Sequence, residues 1–287
     1  MDLWNIQNVR YLFSKYNCKF SKSLGQNFLV DPYVCPKMVK MAGINNNIGV
    51  IEIGPGIGVL TVEIAKYAKK CVAIEVDEKL LPILSETLNE CNNVKIINQD
   101  VLKINLHELI KKEFDNMDVI VCANLPYYIT SPIIMHLIES KLPIKCITVM
   151  VQKEAAERIT ALPGTRNVGA ISIAVRYYCE PSVLFDVPRE SFLPAPEVDS
   201  AVIKLKVREK PAVEVESEEI FFKIVKAAFS QRRKTIVNSL FNNFNFSKIE
   251  IRKLLNKLNI DEKNRAENLS IENFKDISNE IYNLTCN

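Results

Sequence analysis

The chain has 287 residues, of which 48% are hydrophobic and 25% are charged, and its formal net charge at pH 7 is +3. This size and balance are typical of a soluble globular enzyme that folds as one large domain and one small domain. The net charge is smaller than that of many domains that bind nucleic acid, so charge alone does not decide for or against such a partner.

The sequence also disfavours a membrane-spanning protein and a secreted protein. No apolar run approaches the roughly 18 residues that a membrane helix needs, so we expect no transmembrane segment and no membrane partner. The N-terminus, MDLWNIQNVRYLF, begins with an acid and lacks a basic region. We therefore expect no secretory signal and a cytoplasmic location.

Cysteine and histidine give no sign of a metal site. The chain has eight cysteines without any Cys-x-x-Cys pair, and most lie in apolar surroundings where a thiol behaves as a small hydrophobic group. The two histidines, His107 and His136, have no metal-ligand or catalytic-triad partner at a recognisable spacing. We expect no metal, and zinc deaminase chemistry, which needs a Pro-Cys-x-x-Cys element, is excluded.

Strand-like and helix-like segments alternate over the first two thirds of the chain. A short helix before Gly43 is followed by strands at 50–54, 70–76, 94–100, 119–124 and 145–152, with helices between them at 58–68, 79–89 and 131–141. This order predicts an α/β fold with a doubly wound, Rossmann-like parallel sheet and right-handed crossovers. The later segments VLFDVP and SAVIKLKV predict two more strands that close one edge of the sheet.

A charged linker that contains proline, Arg208 to Pro211, separates the sheet from the end of the chain. From Glu218 onward the apolar residues follow helical spacing, and no internal repeat is visible. We therefore expect a sheet domain over residues 1–207, which would carry the catalytic site, and a small all-helical domain over residues 208–287.

The sequence EIGPGIG directly follows a predicted strand and opens a predicted helix. Gly54 and Gly56 allow the backbone to approach a ligand closely, at the edge of the sheet where open α/β folds bind their ligands. A dinucleotide-binding loop would need a third glycine where Val59 stands. The spacing suits S-adenosylmethionine, which has no pyrophosphate, although the loop taken alone also fits a tight turn between strand and helix.

Acidic residues stand at the ends of the next two predicted strands. Glu75 in AIEVD can hold both hydroxyls of a ribose, and Asp100 in NQDVL can accept a hydrogen bond from the amine of an adenine. Either acid taken singly is also what a solvated strand end would show. Three matching strand ends in order favour S-adenosylmethionine as the cofactor.

A fourth strand end reads ANLPYYITSP, beside the expected position of the transferred methyl group. The amine of a nucleobase is a poor nucleophile because its lone pair is delocalised into the ring. The Asn124 side-chain oxygen and the Leu125 carbonyl can accept its two hydrogens and direct the lone pair at the methyl carbon. Pro126 stiffens this backbone, and Tyr127 offers a face on which the base stacks. The segment therefore predicts methylation of an exocyclic amine.

Eight segments in this order resemble the ribosomal RNA adenine dimethyltransferases of the KsgA/RsmA type: KFSKSLGQNFLVD, EIGPGIGVLT, AIEVD, NQDVL, ANLPYYITSP, LPGTRNVGAISIAVRYY, SFLPAPEVDSAVI and AFSQRRKTIVNSL. The resemblance covers about residues 19–240. It implies S-adenosylmethionine-dependent transfer of two methyl groups to N6 of each of two adjacent adenosines near the 3′ end of 16S rRNA. The implied partner is the assembling small ribosomal subunit, with a role in ribosome biogenesis, and we expect the chain to be a monomer.

The same resemblance implies roles for individual residues. Phe192 of FLPAP would stack on the second face of the target adenine, although it also fits a core aromatic ahead of a proline-rich turn. The expected contacts to the cofactor come from Asn27, Leu29, Gly54, Glu75, Asp100 and Asn124, with Gly56 of the same loop. The expected contacts to RNA come from Lys15, Lys19, Lys22, Arg166, Arg232, Arg233 and Lys234, together with the helical domain. Three successive helical residues cannot all face one phosphate track.

Three other functions stay open at this point. An Erm-type enzyme methylates large-subunit rRNA and shares the fold and the NLPY-like motif, but LPGTRNVGAISI, DSAVI and QRRKT resemble the small-subunit group better. A ribosome-assembly factor without activity would have no need of Gly54, Glu75, Asp100 and Asn124 together. An NAD-dependent oxidoreductase is disfavoured by Val59 and by the lack of a proton donor such as histidine near the strand ends.

Overall fold

The computed structural model of the chain describes residues 1–18, 26–231 and 233–286. The strands are β1 Phe28–Leu29, β2 Ile48–Ile53, β3 Lys70–Glu75, β4 Val94–Asn98, β5 Asp118–Asn124, β6 Ile144–Gln152, β7 Cys179–Val187, β8 Phe192–Leu193 and β9 Ser200–Val207. The helices are α1 Ile6–Lys15, α2 Val34–Ala42, α3 Val59–Ala65, α4 Leu81–Thr87, α5 Leu106–Phe114, α6 Thr130–Glu139, α7 Lys153–Thr160, α8 Ala170–Tyr178, α9 Glu218–Phe229, α10 Ile236–Phe241, α11 Lys248–Lys257 and α12 Ile271–Cys286.

Seven strands form one sheet in the order β4-β3-β2-β5-β6-β9-β7. The first five are parallel, and β9 is antiparallel to β6. The chain winds outward in one direction from β2 to β4 and in the other from β5 to β6, so a switch point lies between β2 and β5. Ligands of such sheets bind outside the carboxyl ends of the strands at this point. The predicted doubly wound fold and its two late edge strands, β7 and β9, are confirmed.

The central strands form because their residues are apolar on both faces. β2 and β5 consist almost entirely of buried residues, as expected for parallel strands covered by helices on each side. Gly49 in β2 lies against the Phe114 ring of α5, where an added Cβ would come within 2.3 Å of that ring. A glycine at this position therefore lets the helix pack closely onto the strand.

The chain divides into two compact units. The first unit contains residues 1–156 and 181–207, and the second contains residues 157–180 together with the residues from 208 onward. The segment 157–180 was expected in the sheet domain. It belongs to the second unit because Tyr177 of α8 packs on Phe221 of α9, with ring centroids 4.9 Å apart. The backbone amides of Arg208 and Ala212 also donate to the carbonyls of Tyr178 and Tyr177.

Helices make up most of the second unit, as the spacing of apolar residues after Glu218 predicts. Its core is a separate cluster that contains Phe221, Ile224, Leu255 and Phe274. Ser217 begins α9 by accepting a hydrogen bond from the Ile220 amide, as an N-cap residue does. Among the residues that the structure describes, no helix is both long and apolar enough to cross a membrane.

Candidate active site

A cavity opens in the first unit at the carboxyl ends of β2, β3, β4 and β5. Its lining includes these residues proposed from the sequence: Asn27, Leu29, Gly54, Gly56, Glu75, Asp100, Asn124, Leu125, Pro126 and Tyr127. Four separate strand ends and the segment before β1 therefore meet at one place. Phe192, which was expected to stack on the target base, does not line this cavity.

The glycine loop after β2 takes a backbone conformation that side chains disfavour. Gly54 and Gly56 have φ values of 68° and 62°, in the left-handed region. A Cβ added at Gly56 would also lie 3.1 Å from the Phe28 ring, on the cavity side of the loop. The two glycines therefore let the chain turn sharply and keep the space beside β2 open for a ligand.

Glu75, at the end of β3, holds the glycine loop in place. Its carboxylate accepts hydrogen bonds from the Gly56 amide at 3.2 Å and from the Asp77 amide at 2.8 Å. Burial raises the pKa of Glu75, while the amides of Asp77 and Gly56 act in the opposite direction by favouring the charged form. The two carboxylate oxygens stay available as acceptors for hydroxyl groups, because each uses one lone pair on an amide.

The ends of β3 and β4 are joined by backbone contacts near Asp100. The Gln99 amide and the Asn98 side chain both donate to the Glu75 carbonyl, at 3.0 and 2.8 Å. The half-buried Asp100 accepts from the Leu102 amide at 3.0 Å through one oxygen. Its carboxylate therefore has a fixed direction at the cavity wall next to Glu75.

Glu52 is a second buried acid in the cavity wall, inside β2. Burial raises the pKa of Glu52 to about 8, and the negative charge of Glu75 acts in the same direction. Its Oε2 atom has no hydrogen-bond partner within the described part of the chain. Burial therefore favours the protonated form of this carboxyl group, which the sequence pattern did not predict.

Asn124 ends β5 and faces the opposite side of the cavity. Its Nδ2 atom donates to the Asn27 carbonyl oxygen at 3.4 Å, a contact between residues 97 positions apart. An amide group that donates through its nitrogen presents its oxygen in the other direction as an acceptor. This contact orients the Asn124 side chain, and no local sequence pattern indicates it.

The backbone after Asn124 is held on both sides of Leu125. The Leu125 amide donates to the Met150 carbonyl of β6 at 3.1 Å, and the Leu125 side chain is 1% exposed. The Thr130 hydroxyl donates to the Pro126 carbonyl at 3.1 Å. The first contact holds the peptide group before Leu125 and the second holds the peptide group after Pro126, so the backbone that carries the Leu125 carbonyl is restrained on both flanks.

The two tyrosines after Pro126 have different surroundings. Tyr127 is half-buried, and its hydroxyl is hydrogen bonded to the Ser200 hydroxyl at 2.7 Å. Burial raises the pKa of Tyr127, against the opposite effect of Ser200. Tyr128 also lines the cavity but is 54% exposed. Phe192 is 3% exposed and pairs with Leu29 between β1 and β8, so it packs in the core next to the cavity wall.

The predicted RNA contacts are spread over both units. Lys19, Lys22 and Arg232 lie outside the described residues. Arg166, Arg233 and Lys234 are exposed residues of the second unit. Lys15, at the end of α1 in the first unit, forms an ion pair with Glu86 at 2.8 Å. No group of three or more His, Cys, Asp or Glu side chains that could hold a metal ion is found among the described residues.

Sequence reasoning missed the polar partners that position the predicted residues. Gln26 donates to the Asp77 side chain at 2.9 Å and so ties the segment before β1 to the end of β3. Ser200 and the Asn27 carbonyl hold the side chains of Tyr127 and Asn124. The only sequence signal for Ser200 is its place in DSAVI, a segment that supports the family resemblance but predicts no role for its serine.

The switch point between β2 and β5, the open glycine loop and the acids at successive strand ends define a Rossmann-like methyltransferase of class I. The chain belongs to the ribosomal RNA adenine dimethylase family, whose model matches residues 17–283. This match confirms the resemblance that the eight sequence segments indicated.

Individual relatives are similar over nearly the whole chain. The ribosomal RNA small subunit methyltransferase A of Clostridioides difficile (strain 630) is 52% identical over 282 residues, which cover 98% of each chain. The crystal structure of a dimethyladenosine transferase from Plasmodium falciparum has a TM-score of 0.73 at 28% identity, over 90% of this chain and 98% of that one. The crystal structure of the 23S rRNA methyltransferase ErmE has a TM-score of 0.68 at 25% identity, over 88% and 98%.

Proposed function

We propose that this protein uses S-adenosylmethionine to dimethylate two adjacent adenosines at N6 near the 3′ end of 16S rRNA. The observation that carries the proposal is the pair of acceptors at the end of β5. Asn124 is oriented by Asn27, and the Leu125 carbonyl is fixed by the neighbouring contacts to Met150 and Thr130. The name of the C. difficile relative, a small subunit methyltransferase, supports this choice of ribosomal subunit.

The residues around the glycine loop fit S-adenosylmethionine, which supplies the methyl group. Gly56 keeps open the space that a Cβ would fill beside Phe28. The Glu75 carboxylate suits the two ribose hydroxyls, and Asp100 suits the amine of the adenine. Asn27, Leu29 and Asn124 line the same cavity and would close the site from the other side.

Asn124 and Leu125 would make the adenine amine nucleophilic. The two acceptor oxygens would each take one N–H group of the amine and draw its nitrogen toward tetrahedral geometry. The lone pair is then no longer delocalised into the ring and points at the methyl group. Fixed acceptors serve this purpose better than mobile ones, because no reorganisation is needed during the reaction.

Tyr127 would hold the flipped adenine by stacking. Each stacked base contributes roughly 1–3 kcal/mol in such sites. Pro126, with its restricted φ, starts the turn that brings the Tyr127 ring back over the cavity. No strong general base is required, since the methylated amine is acidic and releases its proton to water.

Basic residues outside the cavity would bind the RNA backbone. Arg166, Arg233 and Lys234 are exposed, and Lys15, Lys19, Lys22 and Arg232 complete the set proposed from the sequence. The helical second unit would contribute to recognition of rRNA. Binding through several phosphates predicts a steep loss of affinity as salt increases. A flat response to salt would count against this part of the proposal.

The test is transfer of label from radiolabelled S-adenosylmethionine to hypomethylated small and large ribosomal subunits, with nucleoside analysis of the product. We expect N6,N6-dimethyladenosine on the small subunit, and loss of the product in Asn124→Ala. Asn47→Ala is the matched control, because Asn47 is an exposed asparagine of the same unit outside the cavity. Label on the large subunit alone would favour an Erm-type enzyme. Absence of label on both subunits would overturn the proposal.

A further inference from the structure

The Tyr127 hydroxyl is hydrogen bonded to Ser200, a residue with no role in the methyl transfer proposed above. The hydroxyl of Tyr127 lies 2.7 Å from that of Ser200, which is fully buried at the start of β9. Tyr127 follows β5, and β6 lies between β5 and β9 in the sheet. The hydrogen bond therefore spans the width of one strand and joins two segments 73 positions apart.

Ser200 is the fixed partner in this pair. It is opposite Gln152 in the antiparallel ladder between β6 and β9. The residue before it, Asp199, accepts the Lys153 amide through its carbonyl and the Arg189 amide through its side chain, both at 3.0 Å. Tyr127 lies instead in a single helical turn of three residues. The hydrogen bond thus links the Tyr127 ring, which lies in a short helical turn, to a residue that the sheet holds in place.

We infer that Ser200 is a positioning residue that fixes the position of the Tyr127 ring and thereby favours the second methyl transfer to each adenosine. This inference rests on the proposed function, since it requires that the target base stacks on Tyr127. A tyrosine ring can rotate about two side-chain bonds. The hydroxyl lies on the axis of the second bond, so its hydrogen bond restricts rotation about the first bond and fixes where the ring lies in the cavity wall.

The second transfer depends on the ring more than the first. Unmodified adenine has two N–H hydrogens for the acceptors on Asn124 and Leu125, whereas monomethyladenine has only one. A base held by one hydrogen bond can turn in its plane or tilt unless the stacked ring restrains it. Loss of the Ser200 contact should therefore slow conversion of the monomethylated base more than its formation.

The experiment compares Ser200→Ala, Tyr127→Phe and the double variant, each of which removes the same hydrogen bond. The measured quantities are kcat/KM for the first and second transfers, on unmodified and on monomethylated small-subunit RNA. A hydrogen bond of ordinary strength corresponds to about a fivefold loss, and we expect this loss to be larger in the second transfer than in the first in all three variants. The double variant should lose no more than either single variant, because the shared bond is lost only once. Monomethyladenosine should accumulate in all three.

Ser182→Ala is the matched control. The Ser182 hydroxyl donates to the Lys204 carbonyl of β9 at 3.4 Å, so the change removes a serine contact to the same strand away from Tyr127. It should leave the ratio of the two products unchanged. Cofactor affinity should stay close to that of the wild type in every variant, since neither hydrogen bond involves a residue proposed to hold the cofactor.

The outcomes separate this inference from the proposed function. Absence of dimethyladenosine in the wild type would refute the function itself. If the wild type dimethylates normally and the product ratio is unchanged in Tyr127→Phe, only the inference is overturned. This variant also keeps the test decisive if Ser200→Ala fails to fold. A loss in the double variant equal to the product of the two single losses would also overturn it. Such a result would show that Ser200 does not act through Tyr127.

Discussion

The cavity has two halves that are built in different ways. By the proposed function, Gly54, Gly56, Glu75 and Asp100 form the half that would hold the cofactor, called the cofactor half, and residues 124–127 form the half that would hold the base, called the base half. In the cofactor half Glu75 bonds to backbone amides 2 and 19 positions away. In the base half the side chains of Asn124 and Tyr127 bond to partners 97 and 73 positions away. The first half is therefore held by contacts between successive strand ends, whereas the second depends on partners from distant parts of the chain.

Asn124→Ala is expected to have the largest effect and to break the base half alone. Loss of one preorganised polar group in an active site typically lowers kcat by about 10²–10³. The Asn27 contact is lost as well, but the Glu75 and Gly56 side of the cavity is unaffected. Cofactor affinity, measured by calorimetry, should therefore change by less than about tenfold, which is 1.4 kcal/mol.

Methylation of small-subunit RNA at saturating cofactor gives the matching kcat, with Asn47→Ala as the control. A variant that regains full kcat at saturating S-adenosylmethionine would place Asn124 in the cofactor half instead. The division into halves would then be wrong for this residue.

The contrast between the halves explains what the sequence could predict. Glu75 and Asp100 were found because a polar residue at the end of a buried strand is visible in the sequence, and all such ends meet at one edge. The roles of Ser200 and the Asn27 carbonyl were not visible, because hydrogen-bond partners 73 and 97 positions apart leave no local pattern.

The burial of Phe192 and the placement of α8 could not be predicted from residue type alone. Phe192 suits a stacking face or a core position equally well, and only its pairing with Leu29 places it at 3% exposure. The α8 segment shows helical spacing but gives no indication of which core it joins. Its place in the second unit is set by contacts with residues such as Phe221, more than forty positions later.

The next effect concerns the buried carboxyl group under the cofactor half. The folded protein keeps the Glu52 proton up to a pKa of about 8, whereas the unfolded chain releases it near the ordinary value of 4.5. The unfolded state therefore gains stability relative to the folded state as pH rises between these values. At pH 7 this costs the fold about 3 kcal/mol, from 1.36 kcal/mol for each unit of pH above 4.5.

Glu52→Gln removes this titration with little change in shape. Relative to the wild type, the variant should gain stability between pH 5 and pH 8, and guanidinium unfolding at the two pH values measures the gain. Glu75, whose pKa is also raised, is present in both proteins and cancels in the comparison. Parallel loss of stability with pH in the two proteins would show that Glu52 is already ionised in the folded state.

Gly56→Ala should weaken the cofactor half and leave the base half intact. The left-handed backbone at this position costs a residue with a Cβ about 1–2 kcal/mol, and the Cβ would press on Phe28 at 3.1 Å. We expect about a tenfold loss of cofactor affinity, which corresponds to 1.4 kcal/mol, with kcat unchanged at saturating cofactor. The affinity is measured by calorimetry.

Gly43→Ala is the control for Gly56→Ala. Gly43 has a φ of 85° and ends α2 in the same unit, but an added Cβ there meets nothing within 4 Å. It should reproduce the backbone strain without loss of cofactor affinity. Equal losses in the two variants would mean that strain, and not the space beside Phe28, determines binding.

The smallest effects are expected outside both halves, where the RNA backbone would bind. Arg233 is exposed, whereas Lys15 already forms an ion pair with Glu86 that raises the pKa of Lys15. Arg233→Ala should reduce the slope of log affinity against log salt by about 1, as loss of one phosphate contact does. Lys15→Ala should change the slope less, because Lys15 must exchange a carboxylate for a phosphate. Fluorescence anisotropy with labelled small-subunit RNA measures both slopes. A larger change of slope for Lys15→Ala than for Arg233→Ala would mean that RNA displaces Glu86 from Lys15 and that α1 contacts the RNA.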